Sequence, residues 1–194
     1  FLFIISVFVA VSHPVQAESA STVVERFQAS LIQAMQSASD SSVRQRYDRL
    51  VHSVSDTFHI RLMTQIATGH HWSTAQPNEK AAVVAAFQRM SVATLATLFD
   101  GYSGEIFKTI GERPGPSKAT IVLTNLVKSD KSKVDLAYVA RQFAGKWQLI
   151  DVVVDSGISE LKVRRSEYSM VLKNSGMPGL IKLLNDKADD LMSR

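Results

Sequence analysis

Residues 146–168, KWQLIDVVVDSGISELKVRRSEY, decide how the rest of the chain is arranged. Their first half alternates. Trp147, Leu149, Asp151 and Val153 fall on one side of an extended strand, and Gln148, Ile150, Val152 and Val154 on the other. The second set is wholly apolar after Gln148, as in a strand laid against a core or a cavity. Gly157 ends the extended run, and Ser159 is placed to cap a helix carrying Arg164, Arg165 and Tyr168. A strand that feeds straight into a helix joins two halves of a fold.

Upstream, three more runs read as strands, at 104–112, 118–128 and 133–143, followed by 146–155. Arg113-Pro114-Gly115-Pro116, Ser129-Asp130-Lys131 and Ala144-Gly145 supply the turns between them. Links this short permit only antiparallel neighbours. Further upstream the period becomes helical. Residues 22–38 carry Val23, Phe27, Leu31, Ala34 and Met35 at helical spacing. Asp40-Ser41-Ser42 precede a second helix with Val43, Tyr47, Leu50, Val51 and Val54 inward. A short third helix, 58–68, is closed by Gly69. Pro77 suits a first helical position with Glu79 in the first turn, and the stripe from Val83 to Leu98, Phe99 and Tyr102 predicts a long helix to about Tyr102. Downstream, helices at 159–173 and 178–193 flank a break at 174–176. The order predicts an α+β fold in which a curved four-stranded antiparallel sheet is wrapped by N- and C-terminal helices.

Residues 1–17, FLFIISVFVAVSHPVQA, hold no charged residue, and their apolar run is too short for a bilayer, which needs roughly 20 residues. Val15-Gln16-Ala17 fits a cleavage site, so the stretch reads as the remnant of a secretory signal peptide before a single domain at 18–194. There is no cysteine, hence no disulfide and no thiolate chemistry. Lys and Arg number 22 against 18 Asp and Glu, a net +4. That mild excess allows weak attraction to anionic lipid headgroups and gives no nucleic-acid signature.

A tryptophan strand running into Asp-Val, then Gly-x-Ser, then an Arg-Ser-x-aromatic helix resembles the MlaC family, also called the toluene-tolerance family. The matching residues are Trp147, Asp151, Val152, Gly157, Ser159, Arg165, Ser166 and Tyr168. A second segment, Phe58, Met63, Gly69 and Trp72, resembles the family's Phe-x-x-Met…Gly-x-x-Trp text. The resemblance covers roughly residues 21–185. It departs at Thr57-Phe58-His59 and Asp155-Ser156, and its variations are similar to the branch associated with hopanoid biosynthesis. It implies a periplasmic lipid carrier with a deep pocket between a cystatin-like sheet and its helices. The implied partners are lipid, an inner-membrane ABC transporter complex and an outer-membrane lipoprotein complex. It implies a monomer whose only bound molecule is cargo lipid, phospholipid or hopanoid.

Apolar patterning alone favours a solid core; the resemblance turns the reading to a cavity. The candidate lipid-binding wall is Phe58, Met63, Trp72, Phe87, Leu95, Leu98, Phe99, Tyr102, Ile106, Val122, Tyr138, Val152, Val154 and Tyr168, with Arg164 and Arg165 as headgroup or partner contacts. An enzyme in a cystatin-like fold and a non-catalytic scaffold are the competing readings. Catalytic patterns are lacking. His70 and His71 are adjacent, without metal-ligand spacing. Asp151 and Asp155 on one strand would stand about 13 Å apart, too far for a glycosidase pair. Asp151 reads better as a structural acceptor for Arg165 or a helix N-terminus.

Overall fold

The structure, a computed structural model, describes residues 18–155 and 157–193; the proposed signal remnant lies outside them. Helices α1 (Ala20–Gln36), α2 (Val43–Thr57), α3 (Ile60–Thr68), α4 (His71–Thr74) and α5 (Pro77–Leu98) come first. Strands β1 (Ile106–Pro114), β2 (Thr120–Val127), β3 (Lys133–Phe143), β4 (Lys146–Val154) and β5 (Ile158–Ser159) follow, and α6 (Glu160–Met192) closes the chain. The α+β architecture is as expected, with one more strand than the four anticipated. The sheet is an antiparallel meander in chain order. Its extra strand, β5, pairs Val153 with Ser159 and Val154 with Ile158. Two residues are too short to leave a period in the sequence.

Local chemistry sets the helix ends. Ser42 and Gln45 form a reciprocal capping box at α2, as do Gln76 and Glu79 at α5, where Pro77 takes the first turn. Gly69 ends α3 at φ 58, and Gly176, at φ 62, breaks α6 just before Pro178. Helix α5 stops at Leu98, a turn short of the predicted end. Near there the buried Arg46 donates from Nε to the Ala96 carbonyl at 2.8 Å and from Nη1 to the Ser41 carbonyl at 2.6 Å. A cation set against carbonyls in the last turn stabilises that end. By length and composition α5 could cross a membrane, yet Val83, Phe87, Met90, Val92, Ala93 and Ala96 are buried in the core.

The simple alternation expected along β4 is wrong at one residue. Val139 pairs with Asp151 but Ala140 with Leu149, so Ile150 is an unpaired bulge. One extra residue reverses the facing of everything before it. Leu149 therefore joins the core, fully buried, alongside the inward Val152 and Val154. Because both parities of this strand are apolar, hydrophobicity could not mark the bulge. Leu149 also ties the helices to the sheet: it bridges to Phe58, and its carbonyl accepts from the His59 backbone N–H at 2.9 Å. That pairing places Phe58 before α3 rather than inside it.

Candidate functional site

The end of β4 positions the first part of α6 through one carboxylate. Asp151 Oδ1 accepts from the Leu161 backbone N–H at 3.1 Å and from that of Val152 at 2.9 Å. Asp151 Oδ2 accepts from Ser159 Oγ at 2.6 Å, and that hydroxyl in turn caps α6 by accepting from the Lys162 N–H at 3.0 Å. An anion here also suits the positive end of the helix. Of the two partners anticipated for Asp151, the helix N-terminus is the one found. Arg165 instead lays its guanidinium over Gly69, where an added Cβ would stand 3.4 Å from Nη2.

This junction ties the start of α6 to β4, and beside it, between the sheet, α5 and α6, lies a cavity of about 280 Å³. Its floor is Phe27, Leu31, Val54, Phe58 and Tyr138; Phe27 and Phe58 meet edge to face at 4.9 Å. Val152 and Val154 of β4 and Leu136 of β3 form one wall. Phe87 from the middle of α5 and Leu95, Leu98 and Phe99 at its end form another, with Ile60 and Met63 from α3. Four polar side chains share the lining, Ser91, Thr94, Glu160 and Arg164. Leu98 is 69% exposed, which places the mouth between the end of α5 and the start of α6. Burial pushes the Tyr138 phenol up to about 12 against the pull of Gln28 beside it.

The structure thus brings together Phe58, Met63, Phe87, Leu95, Leu98, Phe99, Tyr138, Val152, Val154 and Arg164. It places the other candidates elsewhere. Trp72 is buried in α4 with the guanidinium of Arg61 5.2 Å and the ammonium of Lys80 5.8 Å from its ring centre. Val122 is sealed under the sheet at 0% exposure. Tyr168 is buried against Phe87, their ring centres 6.5 Å apart. Tyr102 and Ile106 line a separate open groove between α1 and β1, because α5 ends before it can carry Tyr102 to the cavity. Sequence reading missed Phe27, Leu31 and Val54 on the floor and Ile60, Ser91, Thr94, Leu136, Glu160 and Leu161 on the wall. Ile60 and Leu161 occupy apolar positions beside helix starts; the polar ones carry no sequence signal of facing a cavity.

Among the described residues no cluster of His, Cys, Asp and Glu is placed to hold a metal ion. Comparison with known proteins bears on the family and the fold. A family profile described as MlaC protein matches residues 25–186. The chain belongs to the MlaC family. A structure of a phospholipid-binding protein from Ralstonia solanacearum, solved in complex with a phospholipid, superposes with a TM-score of 0.74. The two share 18% identity over 88% of this chain and 95% of that one, a likeness of fold. The residues that carried the family resemblance mostly build the frame. Asp151 and Ser159 join strand to helix, and Gly69 leaves room for Arg165.

Proposed function

We propose that this MlaC-family chain is a soluble periplasmic lipid carrier. It shelters an acyl chain or polycyclic lipid in the cavity and shuttles it between inner- and outer-membrane complexes of an ABC-type transport system. Residues 1–17 serve as the export signal. The protein acts as a monomer, by binding and release rather than catalysis.

The cavity between β4, α5 and α6 carries this reading. An apolar void near 150 Å³ stays dry and already takes a benzene-sized guest; this one is about 280 Å³. Each methylene that enters contributes about 0.8 kcal/mol. The volume lies just below the roughly 300–1,000 Å³ of ordinary ligand pockets, which suits one acyl chain. A second chain, or a polycyclic lipid, enters only as α5 and α6 move off the sheet. Phe58, Met63, Phe87, Leu95, Leu98, Phe99, Tyr138, Val152 and Val154 contact the apolar part, and Arg164 meets the headgroup. The matched Ralstonia protein, solved with a phospholipid, supports a lipid as cargo.

Gentle purification followed by lipid extraction and mass spectrometry tests the reading. Co-purifying lipid, exchangeable with labelled lipid from vesicles, is the expected result. Protein that carries none and accepts none defeats it. Competition between a phospholipid and a hopanoid then decides the cargo, since equal displacement removes any claim of hopanoid specificity.

A further inference from the structure

The start of α6 presents Glu160 and Arg164 to the same cavity mouth, four residues apart and so on one helix face. Glu followed by a cation at this spacing is the arrangement that ordinarily closes into an ion pair. Here it stays open. None of the ion pairs among the described residues involves either side chain. The half-buried guanidinium of Arg164 turns instead to the Met90 sulfur, with Nη1 at 3.3 Å. A thioether is a weak acceptor, and the other group beside the guanidinium is the buried Tyr168 hydroxyl, so the fork keeps donors to spare for a ligand. The nearby Asp151 is engaged by Ser159, Leu161 and Val152 and is not free to serve. One rim therefore offers an unmatched cation set into an apolar wall and an unmatched, exposed anion one turn away.

We propose that this rim reads a zwitterionic headgroup, with Arg164 taking the phosphate, Glu160 taking the ammonium, and Glu160 determining specificity. The proposal rests on the carrier reading above. A guanidinium fork matches two phosphate oxygens. In a phosphoethanolamine headgroup a short ethylene bridge joins phosphate to ammonium, a span suited to neighbouring side chains on one helix face. A glycerol headgroup offers the same phosphate but no cation, so Glu160 faces net negative charge uncompensated. Discrimination then comes from repelling the wrong headgroup as well as holding the right one. Glu160 is exposed, so the preference is modest, about three- to fivefold.

The experiment loads delipidated protein from vesicles containing equal amounts of phosphatidylethanolamine and phosphatidylglycerol, then extracts and quantifies the bound lipid. Wild type is expected to enrich the ethanolamine lipid about threefold or more, with the preference shrinking as salt is raised. Glu160→Gln should bring the ratio to that of the vesicle, and Glu160→Lys should invert it. Arg164→Gln should lower uptake of both lipids. Bound lipid at the vesicle ratio in wild type, or the same enrichment in wild type and Glu160→Gln, overturns the proposal and leaves carriage standing. Wild type that takes up neither lipid overturns both.

Discussion

The two ends of α6 lie over the same apolar interior, yet one end is packed solid and the other is hollow. Toward the C-terminus Leu180, Leu184 and Ala188 are fully buried, as are Val83, Ala86 and Ala93 of α5. The alanines of α5 and Ala188 of α6 let those helices approach closely, and little space is left. Toward the N-terminus the lining changes to Phe87, Leu95, Phe99 and Met63, facing a strand turned by the Ile150 bulge and held by the Asp151 junction. Hydrophobicity is similar at both ends. The difference lies in how near the backbones come, which small residues, a bulge and a hydrogen-bonded carboxylate decide.

The sharpest way to break this comparison is a charge on the hollow side. Val152→Asp sets a carboxylate against acyl chains, where an unpaired buried charge costs several kcal/mol or shifts its own pKa to escape. Lipid co-purification should fall by tenfold or more (an effect of about 1.4 kcal/mol or larger), while circular dichroism still reports a folded protein, since a wall open at its mouth can admit water. Outright unfolding would place Val152 in a solid core instead.

The next effect is one of stability, read by chemical denaturation. Leu184→Ala in the solid half leaves a new void and should cost about 3 kcal/mol, within the usual spread of roughly 2–5. Leu95→Ala only enlarges an existing cavity, and its side chain is already half-exposed. It should cost about 1 kcal/mol in lipid-free protein. Equal costs would mean that the cavity closes when empty.

Asp151→Ala removes three hydrogen bonds at the strand–helix junction. It should destabilise by about 1–2 kcal/mol, the range of lost helix caps. Asp151→Asn, which can still accept, should recover part of that. Because the junction fixes the start of α6, which brings Leu161 and Arg164 to the cavity, the alanine variant should also retain less lipid. A stability loss with lipid retention unchanged would separate the junction from the cavity.

These tests fall where the sequence is least legible. Element order, turns and the capped starts of α2, α5 and α6 could be read because each rests on local residue chemistry: Ser42, Pro77 with Glu79, and Ser159. Nine of the apolar wall candidates face the cavity; those on the helices could be read from their apolar stripes, whereas Val152 and Val154 sit on a strand apolar on both sides. The rest failed for tertiary reasons. Tyr102 continues the α5 stripe on paper, but the helix ends at Leu98, near the carbonyl held by Arg46. Leu149 changes sides because of a bulge that an all-apolar strand conceals. Trp72 and Tyr168, large and apolar in pattern, fill the frame around the cavity instead of lining it.

Tyr168 supplies the smallest expected effect and the finest probe of that frame. Its hydroxyl is buried without a well-formed hydrogen bond among the described residues, with the Arg164 guanidinium beside it. Burial pushes the phenol up to about 12, against the opposing charge of Arg164. An unmet buried hydroxyl is a penalty, so Tyr168→Phe should be neutral or stabilising by up to about 1 kcal/mol at pH 7. The sign with pH follows from the raised value. The unfolded phenol ionises near pH 10, while the folded one keeps its proton to about 12. Above pH 10 the unfolded state therefore holds fewer protons, and wild type loses stability as pH rises from about 10 to 12. The phenylalanine variant lacks that group, and its advantage should widen across the same window. Tyr138, also raised to about 12, keeps part of the alkaline loss in both proteins. Denaturation midpoints at pH 7 and pH 11 measure the difference. A variant less stable than wild type at pH 7 would show that the hydroxyl is satisfied, and that this part of the frame is wet.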